Sequence, residues 1–368
     1  MMQRNKILLA TAIGLTFNTL TAQATTYSVT DLGTLGGGNS YARGINASGQ
    51  VVGDVYPSGN GGPSHAFLYS NGAMQDLGTL GGGDSYARGI NVSGQVVGHA
   101  NPAGNGTEHA FLYSNGAMQD LGTFGGTYSY AFGINDSGQV VGYAATTGNA
   151  GSHAFLYSNG AMQDLGTLGG RDSYAFGIND SGQVVGISST ADNVAYHAFL
   201  YSNGAMQDLG TLGGSYTQPT GINASGQVVG YDYTAGDGTQ YGFLYSNGAM
   251  QYLGTLGGTY SYPAGINASG QVVGTANTAG DASRAFLYSN GAMTDLNTLI
   301  AANSGWTLLY AGAINDQGQI VGYGINAQRK VHAFLLTANT APVPVPAAVW
   351  LFGSVLAGFG LFRRRKAA

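Results

Sequence analysis

The chain contains no cysteine among its 368 residues, so no disulfide braces it and the fold must be held by its packed core. Charged residues make up only 8% of the sequence, whereas glycine occurs 64 times and tyrosine 24 times. This composition is typical of turns and short strands rather than of helices. The body of the chain, residues 25–341, is long enough for one large core, because a chain of about 300 residues buries roughly three quarters of its unfolded surface.

Basic residues are scarce outside the two ends of the chain. Six of the 12 lie near the termini, at Arg4, Lys6, Arg363, Arg364, Arg365 and Lys366. All 17 acidic residues lie in the body, where the six remaining basic residues leave a net charge of −11. An acidic body without a Lys/Arg cluster argues against nucleic acid or an anionic membrane as a partner.

Residues 1–24 have the three parts of a secretory signal peptide. A basic head is followed by an apolar run from Ile7 to Phe17, and the segment closes on Ala22-Gln23-Ala24. Small residues in this spacing are accepted by signal peptidase, so the sequence predicts a cleaved leader over 1–24. An uncleaved signal anchor is the alternative.

The C-terminal end carries a second pattern typical of targeting segments. A Pro-rich stretch, 338–346, precedes an apolar run of 16 residues, which is short for a span of about 20. Four basic residues follow, and the positive-inside rule places them on the cytoplasmic side. We therefore expect a transmembrane segment with a basic tail over 347–368.

This layout resembles the PEP-CTERM sorting signal that exosortases read in exopolysaccharide-producing Gram-negative bacteria. Pro344, Val345 and Pro346 stand where that family has Pro-Glu-Pro, so the central Glu is missing, and Arg363, Arg364 and Arg365 form the basic end. The resemblance implies processing by an exosortase-type enzyme, a transient stay in the inner membrane, and a final place at the cell surface or in the extracellular matrix. An ordinary membrane anchor is the alternative, and it also leaves the body outside the inner membrane.

Between the two ends the sequence repeats itself. "GINASGQVVG" at 44–53 has copies at 89–98, 133–142, 177–186, 221–230 and 265–274, and "AINDQGQIVG" at 313–322 is a diverged seventh. The copies lie about 44 residues apart. A period of this length is typical of propellers, solenoids and other repeat arrays.

Each unit reads as four short strands, which in the first unit are 40–46, 50–56, 65–70 and 73–78. "NASG" and "NG" between them are turn sequences. A lone fourth strand at 27–37 matches a missing fourth strand after 332–337. The sequence thus predicts an all-β, seven-bladed β-propeller over 25–337, closed by the N-terminal strand joining the last blade. An open solenoid is the alternative, but it does not account for the matching orphan strands.

The body also resembles the HAF-repeat family of bacterial extracellular proteins. The tripeptide stands at 65–67, 109–111, 153–155, 197–199 and 332–334, and becomes Tyr-Gly-Phe at 241–243 and Arg-Ala-Phe at 284–286. The resemblance implies an extracellular repeat protein and supplies no catalytic residue.

The repeated polar residues are interpreted as structural. Histidines placed one per blade would lie apart around the ring, and the asparagines of the Asn-x-Ser sequences suit tight turns. The pair Asp232 and Asp237 lacks the ligand spacing of a calcium loop. We therefore predict no catalytic residue, no metal site and no cofactor.

The varied segments point to a different kind of site. The second-to-third and blade-to-blade connections vary, and both fall on one end of a propeller. We predict that this face binds a ligand through aromatic side chains near the central channel: Tyr41, Tyr86, Tyr128, Tyr130, Tyr174, Tyr216, Tyr260, Tyr262 and Trp306, with Tyr310 beside them. Such rings stack on sugars. The alternative is that they only pack the channel wall.

Three functions remain open on this basis. The first is a non-enzymatic surface or matrix protein that binds exopolysaccharide or a surface protein through its varied face. The second is a passive structural matrix component. The third is a polysaccharide lyase or hydrolase built around Arg171, Asp172 and Tyr174, with Arg43, Arg88 and Asp84 nearby; near-identical blades disfavour it, because catalysis needs unlike groups in one place.

Overall fold

The computed structural model describes residues 25–56, 62–104, 106–234 and 239–339. The signal peptide, the Pro-rich motif and the C-terminal apolar run predicted above lie outside these residues. Among the described residues, no helix has the length and apolar character needed to cross a membrane.

Four-stranded antiparallel sheets form seven blades. Blade 1 holds β2 (Ser40–Ile45), β3 (Val51–Val55), β4 (His65–Ser70) and β5 (Ala73–Asp76). Blade 2 holds β6 (Gly81–Ile90), β7 (Val96–Pro102), β8 (His109–Ser114) and β9 (Ala117–Asp120). Blade 3 holds β10 (Gly125–Ile134), β11 (Val140–Thr146), β12 (Ser152–Ser158) and β13 (Ala161–Asp164), with a 3₁₀ turn at Thr147–Asn149. Blade 4 holds β14 (Gly169–Ile178), β15 (Val184–Thr190), β16 (Tyr196–Ser202) and β17 (Ala205–Gly210).

The remaining blades follow the same order. Blade 5 holds β18 (Thr217–Ile222), β19 (Val228–Tyr233), β20 (Gln240–Ser246) and β21 (Ala249–Tyr252). Blade 6 holds β22 (Gly257–Ile266), β23 (Val272–Thr278), β24 (Ser283–Ser289) and β25 (Ala292–Asp295), followed by a 3₁₀ turn at Leu296–Thr298. Blade 7 holds β26 (Thr307–Ile314), β27 (Ile320–Ile325) and β28 (Val331–Ala338), and its fourth strand is β1 (Tyr27–Gly33).

The two ends of the described chain close the ring, as the orphan strands predict. β1 pairs antiparallel with β28, from Tyr27 opposite Ala338 to Gly33 opposite Ala333. The first strands of neighbouring blades contact one another around the whole circle, including β2 against β26. The chain therefore forms a closed seven-bladed β-propeller, and the solenoid alternative is excluded.

Strand direction sorts the loops onto two faces. In each antiparallel blade the first-to-second and third-to-fourth turns lie at one end, which we name the uniform face, because its "NASGQ" and "SNG" turns barely vary. The Asn-Gly turns there have positive φ at both residues, for example 52° at Asn71 and 81° at Gly72, as tight hairpins require. The other connections lie at the opposite end, the varied face.

The core lies between the blades. One phenylalanine from each "HAF" or equivalent tripeptide is fully buried: Phe67, Phe111, Phe155, Phe199, Phe243, Phe286 and Phe334. Each core cluster draws on two neighbouring blades; Val52 and Ala66 of blade 1, for example, pack with Ala87 and Phe111 of blade 2. No blade buries its own faces alone, which is why the unit is repeated until the ring closes.

The constant "VVG" glycines are required by close backbone approach. A Cβ at Gly142 would overlap the carbonyl oxygen of Tyr130 on the facing strand, and the same holds for Gly98 against Tyr86. A bulge in the first strand, between Ala131 and Gly133, accompanies this approach.

The repeated asparagines form a closed ring of hydrogen bonds on the uniform side. Each side-chain Nδ2 donates to the backbone carbonyl of the matching asparagine in the next blade, at 3.0–3.2 Å: Asn46, Asn91, Asn135, Asn179, Asn223, Asn267 and Asn315, which returns to Asn46. All seven are 2–6% exposed. The "INxSGQ" motif therefore links neighbouring blades through hydrogen bonds, and its sequon-like asparagines are buried.

The HAF histidines have partners within their own blades. His65 Nδ1 lies 2.6 Å from Asp76 Oδ2 on the fourth strand, and equivalent pairs form in blades 2, 3 and 4 at 2.7–2.8 Å. In blade 7 the partner of His332 is Asp31 of β1, at 2.9 Å. Blade 5 has replaced both members together, and Tyr241 contacts Tyr252 edge to face.

Candidate ligand-binding channel

The central channel is lined by the first strand of every blade. Since alternate residues of a strand share a face, positions two apart in "YARGI" form successive layers along the channel. The layer nearest the varied face is Tyr41, Tyr86, Tyr130, Tyr174, Gln218, Tyr262 and Tyr310. The middle layer is Arg43, Arg88, Phe132, Phe176, Thr220, Ala264 and Gly312. The layer nearest the uniform face is Ile45, Ile90, Ile134, Ile178, Ile222, Ile266 and Ile314. Cavities lined by residues from opposite blades run through all three layers.

The tyrosines of the first layer belong to a larger aromatic belt. Second-strand side chains stand opposite them in register, as in the pairs Tyr130–Tyr143 and Tyr310–Tyr323. In order around the ring, the aromatic belt consists of Tyr56, Tyr41, Tyr323, Tyr310, Tyr262, Tyr231, Tyr216, Tyr196, Tyr174, Tyr143, Tyr130, His99 and Tyr86. Ring centroids of successive members are 4.7–6.3 Å apart, within the range of favourable aromatic pairs.

Two arginines and one aspartate bridge the remaining gap between blades 1 and 2. Arg43 Nε lies 3.1 Å from Asp54 Oδ1, and Arg88 Nη1 lies 3.6 Å from the same oxygen. The Arg43 guanidinium also sits 5.7 Å from the Tyr41 ring centroid, and that of Arg88 sits 5.6 Å from the Tyr86 centroid. The channel wall is therefore aromatic on most of its circumference and cationic over blades 1 and 2.

Burial shifts the pKa of several belt residues towards their neutral forms. It raises the pKa of Tyr86, Tyr130, Tyr174 and Tyr262 to about 12, with smaller contributions from neighbouring charges and phenols. Burial, followed by repulsion from Arg88, lowers the pKa of His99 to about 3. At neutral pH the belt thus presents neutral phenols and a neutral imidazole, which are donors, acceptors and apolar ring faces rather than bases.

A largely apolar pocket with a few polar groups opens on the varied face between blades 6 and 7. Its volume is about 420 Å³, within the range of small-molecule sites. It is lined by Tyr260, Thr275, Asn277, Ser283, Leu309, Tyr310 and Tyr323. None of these side chains is charged at neutral pH, and burial raises the pKa of Tyr260 to about 12.

The structure gathers most of the residues predicted for ligand binding, but not all. Tyr41, Tyr86, Tyr130, Tyr174, Tyr216 and Tyr262 lie in the belt. Tyr128 touches it at the rim, through a 6.0 Å ring contact with Tyr130 and a 2.9 Å hydrogen bond between its hydroxyl and Ser152 Oγ. Tyr260 lines the pocket between blades 6 and 7. Trp306 packs instead against Phe334 in the core of blade 7, at 6.2 Å.

Sequence reasoning missed the second-strand members of the wall. Asp54, His99, Tyr143, Tyr231 and Tyr323 each follow the glycine of "VVG" or "IVG" directly. The sequence signal is that this position varies, whereas the three residues before it are almost constant. The other two blades carry Ile187 and Thr275 there. Cross-strand register is needed to see that the varied residue faces the first-strand tyrosine.

No protein-family model matches the chain, and no curated protein matches it in sequence. Solved structures do share its fold. The β-propeller domain of the Trilobed protease from Pyrococcus furiosus, described as having an open velcro topology, aligns with a TM-score of 0.53 at 9% identity, over 82% of this chain and 98% of that one. YCF48, solved bound to D1 peptide, aligns with a TM-score of 0.53 at 9% identity, over 87% and 97% of the two chains. Acylaminoacyl peptidase from Pyrococcus horikoshii aligns with a TM-score of 0.50 at 10% identity, over 80% of this chain and 51% of that one. At these identities the likeness shows the fold alone.

Proposed function

We propose that the chain is an exported, non-enzymatic binding protein that takes a glycan, the exopolysaccharide of its own host, at the varied face. The observation that carries the proposal is the neutral aromatic belt together with the uncharged pocket between blades 6 and 7. Tyrosine rings offer flat apolar faces with a polar tip, which suits the apolar face and hydroxyl edge of a sugar ring. The export part rests on the terminal segments of the sequence.

The pocket between blades 6 and 7 supplies the groups that a neutral sugar needs. Tyr260, Tyr310 and Tyr323 provide rings, while Thr275, Asn277 and Ser283 provide hydroxyl and amide groups. A few convergent polar groups in an otherwise apolar pocket fix the orientation of a ligand. The belt extends the aromatic surface from this pocket to the other blades, which favours a chain-like ligand over a single small molecule.

An enzymatic role has less support in the same geometry. The raised pKa of Tyr130, Tyr174 and Tyr262 makes their phenolate forms still rarer at neutral pH, which disfavours them as bases. Arg171 and Asp172 lie at the varied rim, where Asp172 accepts hydrogen bonds from the Ser152 amide and the Tyr196 hydroxyl. These contacts hold loops together, so we assign them a structural role.

Co-sedimentation of the body, residues 25–341, with host exopolysaccharide tests the proposal. This segment contains the whole closed ring. We expect binding by the unaltered body and a loss of about 1–2 kcal/mol, roughly tenfold in affinity, when Tyr260→Ala removes one ring from the pocket. Tyr252→Ala is the matched control, because Tyr252 is 43% exposed on the outermost strand of blade 5.

The outcomes separate the candidate functions. Equal binding by both variants would move the ligand away from this pocket. A folded body that binds no polysaccharide would point to a protein partner or to a passive structural role. Release of reducing ends or unsaturated products during the incubation would overturn the non-enzymatic part of the proposal.

A further inference from the structure

The middle layer of the channel differs from blade to blade more than any other repeated position in the first strand. It is cationic at Arg43 and Arg88, aromatic at Phe132 and Phe176, and small at Thr220, Ala264 and Gly312. Thr220 and Ala264 of blades 5 and 6 lie across the ring from the arginines, whereas Gly312 of blade 7 lies beside Arg43. Together these small residues leave a cavity of about 250 Å³. Gln218, Tyr262 and Tyr310 of the adjacent layer complete its wall.

The charges around this cavity do not balance. Both guanidiniums share one carboxylate, Asp54, whose side chain is only 3% exposed. The other lining residues carry no charge at neutral pH, and no carboxylate lines the cavity itself. Two of the six basic residues of an otherwise acidic body therefore meet here with a surplus of one positive charge.

Hydrogen-bonding capacity is left over as well. The Nε of Arg88 is buried and has no hydrogen-bond partner among the described residues. The side chains of Arg43 and Arg88 are 30% and 25% exposed, and both line the cavity. A buried, unpaired donor on a cation is costly unless an acceptor meets it.

Neighbouring groups leave the surplus charge in place. His99 stacks on Tyr86 at a ring-centroid distance of 5.0 Å. Burial and the neighbouring Arg88 lower the pKa of His99 to about 3, so its imidazole is neutral at neutral pH. The phenols of Tyr86 and Tyr310 are held neutral by burial. Nothing else among the cavity's described lining residues carries a counter-charge.

We propose that the middle layer of the channel is a binding site for the carboxylate of a small organic acid, with a uronic acid as the chemical class. Guanidinium forks recognise a planar carboxylate through paired hydrogen bonds. The Phe132 and Phe176 rings and the phenol of Tyr262 give the organic body of the ligand an apolar wall. A volume of about 250 Å³ admits one such unit rather than a chain.

This site shares only Tyr310 with the pocket between blades 6 and 7, and the proposal does not depend on polysaccharide binding there. An inorganic anion fits it less well, because it would leave the Phe132, Phe176 and Tyr262 rings without a contact. The ligand class therefore follows from the combination of a cationic side and an aromatic side within one small cavity.

Isothermal titration of the body with sodium D-glucuronate tests the site, with D-glucose as the uncharged probe and sodium sulfate as the inorganic one. We expect glucuronate to bind at least tenfold more tightly than glucose or sulfate. Arg88→Phe should weaken glucuronate binding at least tenfold. The substitution suits the fold, because the same layer already carries phenylalanine in blades 3 and 4.

Two further variants make the test decisive. Ala264→Phe keeps both cations but fills the cavity from the opposite side, so it should also weaken glucuronate binding at least tenfold. Arg171→Gln removes a positive charge from a side chain that is 62% exposed on the varied face, and it should leave binding unchanged. The proposal is overturned if Arg88→Phe binds glucuronate as the unaltered body does, or if sulfate binds as tightly as glucuronate. Tyr260→Ala should affect polysaccharide co-sedimentation but not this titration, so the two proposals fail independently.

Discussion

At the scale of single residues, the asparagine ring is the most demanding feature of the repeat. Asn179 Nδ2 donates to Gln183 Oε1 at 2.8 Å and to the Asn223 carbonyl at 3.1 Å, and its Oδ1 accepts from the Gln183 amide at 3.0 Å. One side chain therefore closes its own turn and holds the next blade. Asparagine has the donor and acceptor set for both tasks, which explains its presence in all seven copies.

Asn179→Ala should destabilise the protein by about 1–3 kcal/mol, because the Gln183 amide loses its acceptor, and the Gln183 Oε1 and the buried Asn223 carbonyl each lose a donor. Urea unfolding followed by circular dichroism measures the change. Asn203→Gly is the control: Asn203 has a φ of 53° in an exposed turn, a conformation that glycine adopts freely. Equal stability of the two variants would mean that the ring contributes nothing measurable.

His99 gives the channel a predicted response to acid. Its pKa is about 3 in the folded protein, because of burial and the neighbouring Arg88, against about 6.5 in an unfolded chain. Between these two pKa values the unfolded state is protonated at His99 and the folded state is not. The free energy of unfolding therefore falls as the pH drops from about 6.5 towards 3. Arg88, Tyr86 and Tyr130 surround the ring and offer no acceptor charge.

His99→Tyr should reduce this acid sensitivity, since tyrosine already occupies the same position in blades 3, 5 and 7, at Tyr143, Tyr231 and Tyr323. At about 1.36 kcal/mol per pKa unit, the unaltered protein should lose about 3 kcal/mol more than the variant between pH 7 and pH 4. The measurement is the free energy of unfolding at each pH. Parallel pH profiles for the two proteins would contradict the prediction.

At the scale of elements, the closing strand β1 ends at Gly33, four residues before its predicted end. The sequence predicts the second, third and fourth strands of the first blade within a residue or two. It misses the length of the first strand in blades 2, 3, 4 and 6, which starts at Gly81, Gly125, Gly169 and Gly257 rather than at the serine four residues later. Glycines with φ of 88–102° let the chain turn there and pair with the end of the second strand. Turn-like composition hides this pairing, because the glycines suit a loop equally well.

The closing strand β1 is the element on which the ring depends. Removing residues 25–33 strips β28 of its outer partner, leaves it paired only with β27, and removes the contact between His332 and Asp31. We expect a lower melting temperature and self-association, because an unpaired edge strand templates pairing with another chain. Size-exclusion chromatography with light scattering, beside thermal unfolding, measures both effects.

Asp31→Ala is the control for this truncation, because it removes the contact with His332 but keeps the strand. That variant should stay monomeric. If the truncated protein is also monomeric and as stable as the full body, closure by β1 has no energetic role.

At the scale of the whole molecule, different positions of the repeat determine the fold and the candidate site. Residues that every copy shares, such as Asn135, Gly142 and Phe155, set strands, turns and blade contacts, so counting copies is enough to predict the propeller. The channel wall is built from positions that differ between copies, such as Arg88 against Phe132. The residue types of the channel wall can be read from the sequence. The contact of Arg43 and Arg88 with Asp54, however, depends on the register between strands and on the angle between blades, and neither can be deduced from a single repeat.

Blade number, rather than blade identity, should therefore govern stability. Deleting residues 135–178 joins Ile134 to Asn179 in perfect repeat register, yet the six remaining units keep interface angles suited to seven and cannot close the asparagine ring. We expect a lower melting temperature and assembly through the two uncovered blade faces, measured by calorimetry and analytical ultracentrifugation. Replacing 135–178 with a copy of 91–134 is the matched control: it restores seven blades, keeps the first-strand channel residues and places a histidine at the position of Tyr143. Its melting temperature should lie close to that of the unaltered body. A monomeric six-unit protein with the original melting temperature would show that each interface adapts to its neighbours, and the closed ring would then be a consequence of chain length rather than of the geometry encoded in each blade.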